Sequence, residues 1–435
     1  MAMKKTVITA LVGLLGAIGG AAQTNAWSLD DCVAYAIDHN IDVKRQALQA
    51  TQGELSVTEA KDRFLPQVSG YASQNFSFGR GLTADNTYAN RNTQSLSAGA
   101  QLSLPIFQGL SAVRRLDYAK TDLRALVEQA EATKDDVELN VIGQYLQALY
   151  TAEMVQVARV RLDISRSELL RRNSLLEAGK IPELDIYQAQ AQVSQDELYL
   201  VNCANDSAIA MLDLRQLLNL PAEEPFAIEA LPDTLMPLLN PDDVFANALA
   251  NNHAMRAGRL QVDAAEKNVS LAKTGYIPTL SFNAGIGSNY YTMSGVKSEG
   301  FGPQMRHNFA KQIGFSLSVP LFDAFGTRNS VRRARLQADN VRLQLDDSRQ
   351  RLYKSIMTAY TQATAAHKKR DAAFVAVESA QKAFEAMKIK YDNGKANATE
   401  YEKSRSDYTS SLAESVQARY EAHLRARILT FYNRQ

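Results

Sequence analysis

The chain has 435 residues, and its 48 basic and 47 acidic side chains give a net charge of +1. Charge this evenly balanced, with no basic stripe or acidic tail, argues against a nucleic-acid-binding protein. The five histidines lie far apart in sequence, and the chain contains neither a His-Glu-x-x-His motif nor a glycine-rich phosphate loop after a strand. We therefore expect no catalytic residues, no cofactor and no metal site.

The N-terminus has the layout of a cleavable secretory signal. Two early lysines precede an apolar run from Val7 to Ile18, and small residues follow it. The run is shorter than the ~20 residues that a membrane-spanning helix needs. We expect residues 1–26 to be a signal peptide, cleaved after Ala22 or Ala26, and the mature chain to be exported.

The remaining chain repeats one sequence pattern. An offset of 212 residues aligns Asp31 with Asp243, and after a three-residue insertion an offset of 215 aligns residues 102–107 with residues 317–322. A long internal repeat of this kind indicates two copies of one structural unit. The resulting divisions are a first repeat at 27–220, a proline-rich inter-repeat linker at 221–241 and a second repeat at 242–435.

Each repeat is predicted to contain a helix, two strands, a long helix and a return helix. Proline is absent between Ile106 and Ile181 and from Leu321 to the end, and an interior proline would break a helix, so both stretches are predicted to be mostly helical. In the first repeat we expect strands at about 66–79 and 94–104, a long helix at about 108–177 and a return helix at about 182–218. In the second repeat we expect strands at about 279–292 and 310–320, a long helix at about 327–392 and a return helix at about 397–433.

The four strand segments alternate apolar residues with small, uncharged polar residues. About ten residues with this alternation are typical of a strand that separates lipid from water in an outer-membrane barrel, although a half-buried soluble sheet alternates in the same way. Four strands cannot close a transmembrane barrel, because the smallest have about eight strands and open edges are not tolerated in lipid. The chain is therefore expected to associate with copies of itself, and strand arithmetic allows dimers, trimers or tetramers.

The long helices carry the seam of a coiled coil. Apolar residues recur at alternating spacings of three and four, which indicates helix-on-helix core packing without a ligand role. In the second repeat this seam consists of Val377, Ala380, Phe384, Met387 and Tyr391. A soluble periplasmic coiled-coil scaffold or adaptor would also contain such helices, but it would not need four amphipathic strands.

The repeat, the strand-to-helix junctions at 104–109 and 319–322, and the turns at 176–179 and 391–394 together resemble the TolC family of outer-membrane efflux proteins. The resemblance implies a mainly α-helical fold with a membrane β-barrel. Long coiled-coil hairpins would form an α-barrel, and four strands per chain would contribute to a trimeric, twelve-stranded barrel. It also implies a location in the outer membrane with a long periplasmic extension.

The same resemblance implies a function and partners. The chain would provide the exit duct of a tripartite efflux or secretion system. Its partners would be two further copies in a homotrimer, a periplasmic adaptor (membrane fusion) protein, an inner-membrane transporter and outer-membrane lipid. The transported compound is left open, with drugs, metals and polypeptides all compatible with the family.

The resemblance assigns adaptor docking to the two helical hairpin tips. Leu176 with Gly179, and Tyr391 with Gly394, form Leu/Tyr-x-x-Gly turns between each long helix and its return helix. Glycine suits these turns because it adopts positive φ without a Cβ clash.

The resemblance also implies a periplasmic gate six residues beyond each glycine. Glu400 corresponds to an acidic ring that constricts the pore, and Asp185 corresponds to the hydrogen-bond partner of Tyr391 in a contact that holds the tip closed. Two positions depart from the family pattern: Ala396 replaces an arginine, and Lys403 replaces a second acid. The ring is therefore expected to be less cation-selective, and its opening is expected to be controlled differently.

Overall fold

The structure, a computed structural model, describes residues 26–82, 86–221, 225–232, 234 and 236–434. The predicted signal peptide therefore lies outside the described residues except for Ala26. The helices are α1 (Leu29–His39), α2 (Ile41–Asp62), α3 (Ser111–Glu177), α4 (Glu183–Leu218), α5 (Pro241–Asn251), α6 (His253–Ala272), α7 (Phe301–His307), α8 (Gly326–Asp392) and α9 (Ala398–Arg434). The strands are β1 (Gln67–Leu82), β2 (Tyr88–Gln108), β3 (Thr279–Met293) and β4 (Ala310–Ser318), and a short 3₁₀ helix spans Lys273–Tyr276. The predicted fold class, mainly helical with four strands, is confirmed.

Helix caps explain several residues that the repeat conserves between its two copies. Ser28 caps α1 and forms a capping box with Asp31, whereas Asn240 caps α5 by accepting a hydrogen bond from a backbone N–H in its first turn. These side chains satisfy backbone donors that the first helical turn leaves unpaired. Asn252 ends α5 and also caps α6, where its side chain accepts from the Met255 N–H.

The described residues divide into two compact units. The first contains the described residues within 1–40, 137–235 and 366–424. In this unit Tyr145 is fully buried, and its hydroxyl donates to the carbonyl oxygens of Trp27 and Glu229 at 3.1 and 2.6 Å. The interface between α3 and the segment before α1 is therefore fixed by a buried polar contact as well as by apolar packing.

The second unit contains the described residues within 41–136, 236–365 and 425–435. It holds the sheet and two apolar clusters, one of which packs Val57 and Ala60 of α2 against Ala119 of α3. The other cluster consists of Val244, Ala248, Met255, Leu352, Ile356 and Leu429.

The sheet is antiparallel throughout, in the order β1-β2-β3-β4. Its register separates apolar from polar side chains, because strand neighbours in register share a face. One row across the four strands is apolar: Val68, Leu102, Ala284 and Ile313. The next row is polar or lacks a side chain: Ser69, Gln101, Gly285 and Gln312.

Strands β1 and β2 run further than the alternation indicates, to a closing pair between Leu82 and Tyr88. The added residues, 79–82 and 88–93, are mostly glycine, arginine and asparagine and show no apolar period. They pair because the hairpin continues the ladder begun by the amphipathic segments. No helix among the described residues is long and apolar enough to cross a membrane.

Candidate functional site at the helical hairpin tips

The first tip is a glycine-ended helix terminus. Gly179 has φ +65°, its N–H donates to the Leu176 carbonyl at 2.8 Å, and the Lys180 N–H donates to the Leu175 carbonyl at 2.9 Å. This pair of bonds is the Schellman motif, which satisfies the carbonyls left unpaired at a helix end. No atom lies within 4 Å of a β-carbon built on Gly179, so the glycine is required by backbone conformation and not by space.

The second tip repeats this geometry. Gly394 has φ +68°, its N–H donates to the Tyr391 carbonyl at 3.0 Å, and the Lys395 N–H donates to the Lys390 carbonyl at 2.8 Å. In each Leu/Tyr-x-x-Gly sequence, the first residue thus provides the carbonyl that accepts the hydrogen bond. The glycine three positions later is the left-handed residue of the motif. Both tip glycines are exposed.

The two return helices begin differently. Asn397 precedes α9, and its side chain accepts from the Glu400 N–H at 2.8 Å while the Glu400 carboxylate accepts from the Asn397 N–H at 3.0 Å. This is a reciprocal capping box. The N-cap of α4 is Pro182, which has no side-chain hydrogen bond, and Asp185 lies in the first turn. The predicted ring acid Glu400 is therefore also a helix-capping residue, and both Glu400 and Lys403 are exposed in the single chain.

Tyr391, on α8, is enclosed by side chains from α3 and α9. Its hydroxyl donates to Glu168 Oε1 at 3.0 Å, its ring stacks on Tyr401 with centroids 4.6 Å apart, and the Arg171 guanidinium lies 4.1 Å from the ring centroid. Arg171 also donates to the Tyr391 carbonyl at 3.2 Å. Burial, followed by the nearby Glu168 carboxylate, raises the pKa of Tyr391.

The structure gives Tyr391 a different hydrogen-bond partner from the one that the family resemblance implies. Within the chain the hydroxyl bonds to Glu168 on α3, whereas Asp185, which is half-buried, bonds through its backbone. Its carbonyl accepts from Arg172 at 3.3 Å, and its N–H donates to the Pro182 carbonyl at 3.1 Å. Tyr391 therefore links α8 to the long helix α3 and not to the start of the return helix α4.

Glu168 belongs to a chain of buried charges that crosses the helical bundle. Arg172 donates to Glu168 Oε1 at 2.7 Å and lies 3.6 Å from Glu402. Arg405 donates to Glu402 at 2.8 Å and to Asp196 at 3.0 Å. Helices α3, α4 and α9 are thereby joined through one set of ion pairs, which we call the tip network: Arg161, Glu168, Arg172, Asp196, Glu402 and Arg405.

Asp196 is the centre of the buried half of the network. Its side chain has no exposed surface, and its carboxylate accepts from Arg161 at 2.6 Å, Gln192 at 3.0 Å and Arg405 at 3.0 Å. A buried carboxylate with three donors is stable, whereas removing one partner of a buried ion pair costs about 3–5 kcal/mol. The network therefore holds α9 against α3 and α4 in one register.

Sequence reasoning missed this network. Glu168 and Arg172 are four residues apart on one helix, and Glu402 and Arg405 are three apart, a spacing that normally reports solvated helix charges. The decisive contact joins Asp196 to Arg405, which is 209 residues later in the chain. Only the packing of α4 on α9 brings them together, and no local spacing indicates it. No cluster of potential metal ligands occurs among the residues that the structure describes.

Comparison with known proteins identifies the class of protein to which the chain belongs. The profile of the family "Outer membrane efflux protein" matches residues 33–220 and 244–432. The chain is 25% identical to the outer membrane protein TolC of Vibrio cholerae over 339 residues, which cover 76% of this chain and 73% of that protein. It is 22% identical to TolC of Escherichia coli over 362 residues, covering 76% and 66%.

Solved structures share the fold. Crystal structures of CusC match with a TM-score of 0.78 at 15% identity and cover 96% of this chain and 95% of CusC. The outer membrane channel CmeC of Campylobacter jejuni matches with a TM-score of 0.77 at 16% identity, covering 93% and 85%. The family profile and the curated relatives thus identify the class of protein as an outer-membrane efflux channel. The chain belongs to the outer membrane efflux protein family, and this excludes the alternative of a soluble scaffold.

Proposed function

We propose that three copies of this chain form the exit duct of a tripartite efflux or secretion system. An inner-membrane transporter selects the compound and supplies the energy, and a periplasmic adaptor protein joins that transporter to the duct. The duct itself performs no chemistry. Expelled molecules pass through it because its wall is continuous from the periplasm across the outer membrane.

The observation that carries this proposal is the sorting of side chains by the sheet register. The apolar row through Leu102 and Ile313 alternates with the polar, uncharged row through Gln101 and Gln312. The apolar residues of β4 are largely exposed in the single chain, with Ile313 at 74% and Phe315 at 70%. A sheet with one lipid-compatible face and one uncharged wet face is what a channel wall requires.

The strand order supports assembly. Strands β1 and β4 are the outer strands of the sheet, so each presents one edge that pairs with no other strand among the described residues. An unsatisfied backbone group in hydrocarbon costs several kcal/mol, and barrels avoid this cost by closure. Pairing β4 of one copy with β1 of the next satisfies both edges, and three copies supply the twelve strands that the family resemblance implies.

The hairpin tips provide the periplasmic end under this proposal. Leu176, Gly179 and Gly394 form the adaptor-docking surface, supported by the two matching, exposed Schellman turns. The gate consists of Glu400, Asp185, Tyr391 and Lys403. In this assignment Glu400 and Lys403 present opposite charges to the constriction, and Tyr391 acts through Glu168.

A pair of neighbouring substitutions tests the channel. Leu102→Arg places a cation on the apolar face and is expected to cost about 2–4 kcal/mol near the bilayer midplane. Ser103→Arg places the same cation on the polar face, where it changes conductance more than assembly. Light scattering of the detergent-extracted wild-type complex should give three times the mass of the mature chain.

The outcomes separate the parts of the proposal. The proposal is supported if Leu102→Arg abolishes the oligomer while Ser103→Arg retains the oligomer and alters its conductance. Equal tolerance of both substitutions would mean that the faces are assigned wrongly. A stable monomer with full β content would contradict closure by self-association.

A further inference from the structure

All four strands pass into helices at one end of the sheet. The register places Gln108 at the end of β2 opposite Thr279 at the start of β3, and Thr279 opposite Ser318 at the end of β4. Strand β1 begins at the same end, because Gln67 pairs with Ser103. We call this end the helix-proximal edge of the sheet.

The helix-proximal edge carries exposed aromatic and large apolar side chains at every crossing. Such side chains concentrate where a membrane meets water, and outer-membrane barrels carry them as girdles. Leu321, for example, is 93% exposed. Others at this end are Phe64, Ile106, Phe107, Tyr276, Phe322 and Phe325. This girdle places the boundary of the hydrocarbon layer at the helix-proximal edge.

Directly beyond the girdle, both long helices carry a Val-Arg-Arg sequence in their first two turns. It is Val113-Arg114-Arg115 in α3 and Val331-Arg332-Arg333 in α8, where it begins about one turn further along the helix. Both follow a turn of two consecutive left-handed residues, Gly109-Leu110 in one case and Ala324-Phe325 in the other. We call Arg114, Arg115, Arg328, Arg332 and Arg333 the junction arginines.

The junction arginines are exposed and have no acidic partner among the described residues. Arg328 contacts only the Phe325 ring, with its guanidinium carbon 5.5 Å from the centroid. The nearby acids are engaged elsewhere. Asp323 accepts from the Thr327 N–H at 2.7 Å, and Asp117 pairs with Lys267 at 3.2 Å. The guanidinium groups of the junction arginines are therefore accessible to an anionic ligand.

The helix starts are held rigidly. A β-carbon built on Gly275 would lie 2.9 Å from the Thr327 side chain, and one built on Gly109 would lie 3.0 Å from the Ile277 carbonyl oxygen. The starts of α3 and α8 are therefore packed against the segment that leads into β3. This packing sets the distance between the arginines and the girdle.

We propose that the junction arginines bind the phosphate groups of anionic phospholipids in the leaflet that meets the helix-proximal edge. Charge complementarity and continuity with the girdle both favour a lipid headgroup as the occupant. Guanidinium groups bind phosphate oxygens through paired N–H donors. Each basic side chain near an anionic surface raises affinity about fivefold, so two per helix start give about a 30-fold effect. The lipid thereby fixes the depth of the sheet in the bilayer.

The test compares two double substitutions on one helix. Arg332→Gln with Arg333→Gln removes two junction arginines. Arg349→Gln with Arg351→Gln is the control, because it removes two arginines from exposed positions of α8 that lie roughly 25 Å further along the helix. Arg351 is paired with Asp347 at 2.8 Å on the protein surface, where such a pair contributes little to stability. Native mass spectrometry of the purified assembly counts retained phosphatidylglycerol, and the heat stability of the assembly is measured in phosphatidylcholine vesicles with and without phosphatidylglycerol.

We expect wild type and control to retain phosphatidylglycerol and to gain heat stability from it. The junction variant should retain phosphatidylglycerol about 30-fold less well. It should gain no heat stability from phosphatidylglycerol, and its heat stability in pure phosphatidylcholine should equal that of wild type. Equal retention by all three proteins would overturn the proposal. A junction variant destabilised equally in both vesicle types would assign the arginines to contacts between copies. A gain reproduced by inorganic phosphate alone would assign them to a free anion.

Discussion

The tip network makes a quantitative prediction at its buried centre. Replacing Arg405 with Met leaves Asp196 with Arg161 and Gln192, so its carboxylate keeps two of three donors. Replacing Asp196 with Leu leaves Arg405, whose side chain is 6% exposed, with Glu402 alone. Removing one partner of a buried ion pair costs about 3–5 kcal/mol. We expect about 2 kcal/mol for Arg405→Met, about 3–5 kcal/mol for Asp196→Leu, and less than the sum for the double variant.

An exposed ion pair between α3 and α4 provides the control. Arg166 on α3 and Glu197 on α4 lie 2.7 Å apart, but their side chains are 56% and 48% exposed. Such pairs contribute about 0.2–1 kcal/mol. The assay is denaturant unfolding of the detergent-solubilised protein, followed by helical circular dichroism. If Arg405→Met costs no more than Arg166→Met, or if the two network substitutions are strictly additive, burial does not couple these charges.

Three further substitutions address the proposed gate and its support. Glu400→Gln keeps the capping box with Asn397 but removes the charge, so it should reduce cation preference in planar-bilayer recordings without loss of stability, and Lys403→Ala should shift the reversal potential in the opposite direction. An unchanged reversal potential in both variants would place these side chains away from the constriction. Tyr391→Phe removes a donor from buried Glu168 and should destabilise the tip by about 1–3 kcal/mol. Because the pKa of Tyr391 is raised in the folded state, unfolded tyrosine ionises first, and stability should fall as pH rises past about 10. Denaturant unfolding at pH 9 and pH 11 should show a smaller loss of stability for Tyr391→Phe than for wild type. An identical loss in both proteins would exclude this tyrosine as the source of the pH dependence.

The strands and helices follow from local signals in the sequence. Alternation in the strand segments is a period-two signal, and the Pro-free stretches permit only long helices, so both could be predicted without tertiary information. The polar ends of β1 and β2 carry no such period, and they are strands because their hairpin partner pairs with them. Local periodicity indicates which residues are buried. It does not predict a strand that forms only because a neighbouring strand pairs with it.

The tip turns could be predicted from local sequence, whereas the tip network could not. The turn glycines Gly179 and Gly394 were predictable because glycine is the residue that most often adopts the left-handed conformation at a helix end. The partner of Tyr391 was not, because Glu168 is 223 residues away and its spacing to Arg172 is that of an ordinary surface pair. A helix charge becomes structural only when another helix excludes water from it.

The two acids at the start of α9, Glu400 and Glu402, make different contacts. Glu400 closes the capping box and is exposed, so under the proposed gate assignment its charge needs no desolvation to face the constriction. Glu402 lies on the other side of the helix, where it joins Arg172 to Arg405. Residues two apart on a helix project about 200° apart, so one turn of α9 carries one exposed acid and one acid that binds the tip network. If the proposed gate moves, we expect α9 to move as a unit with the tip network, or the network to break first.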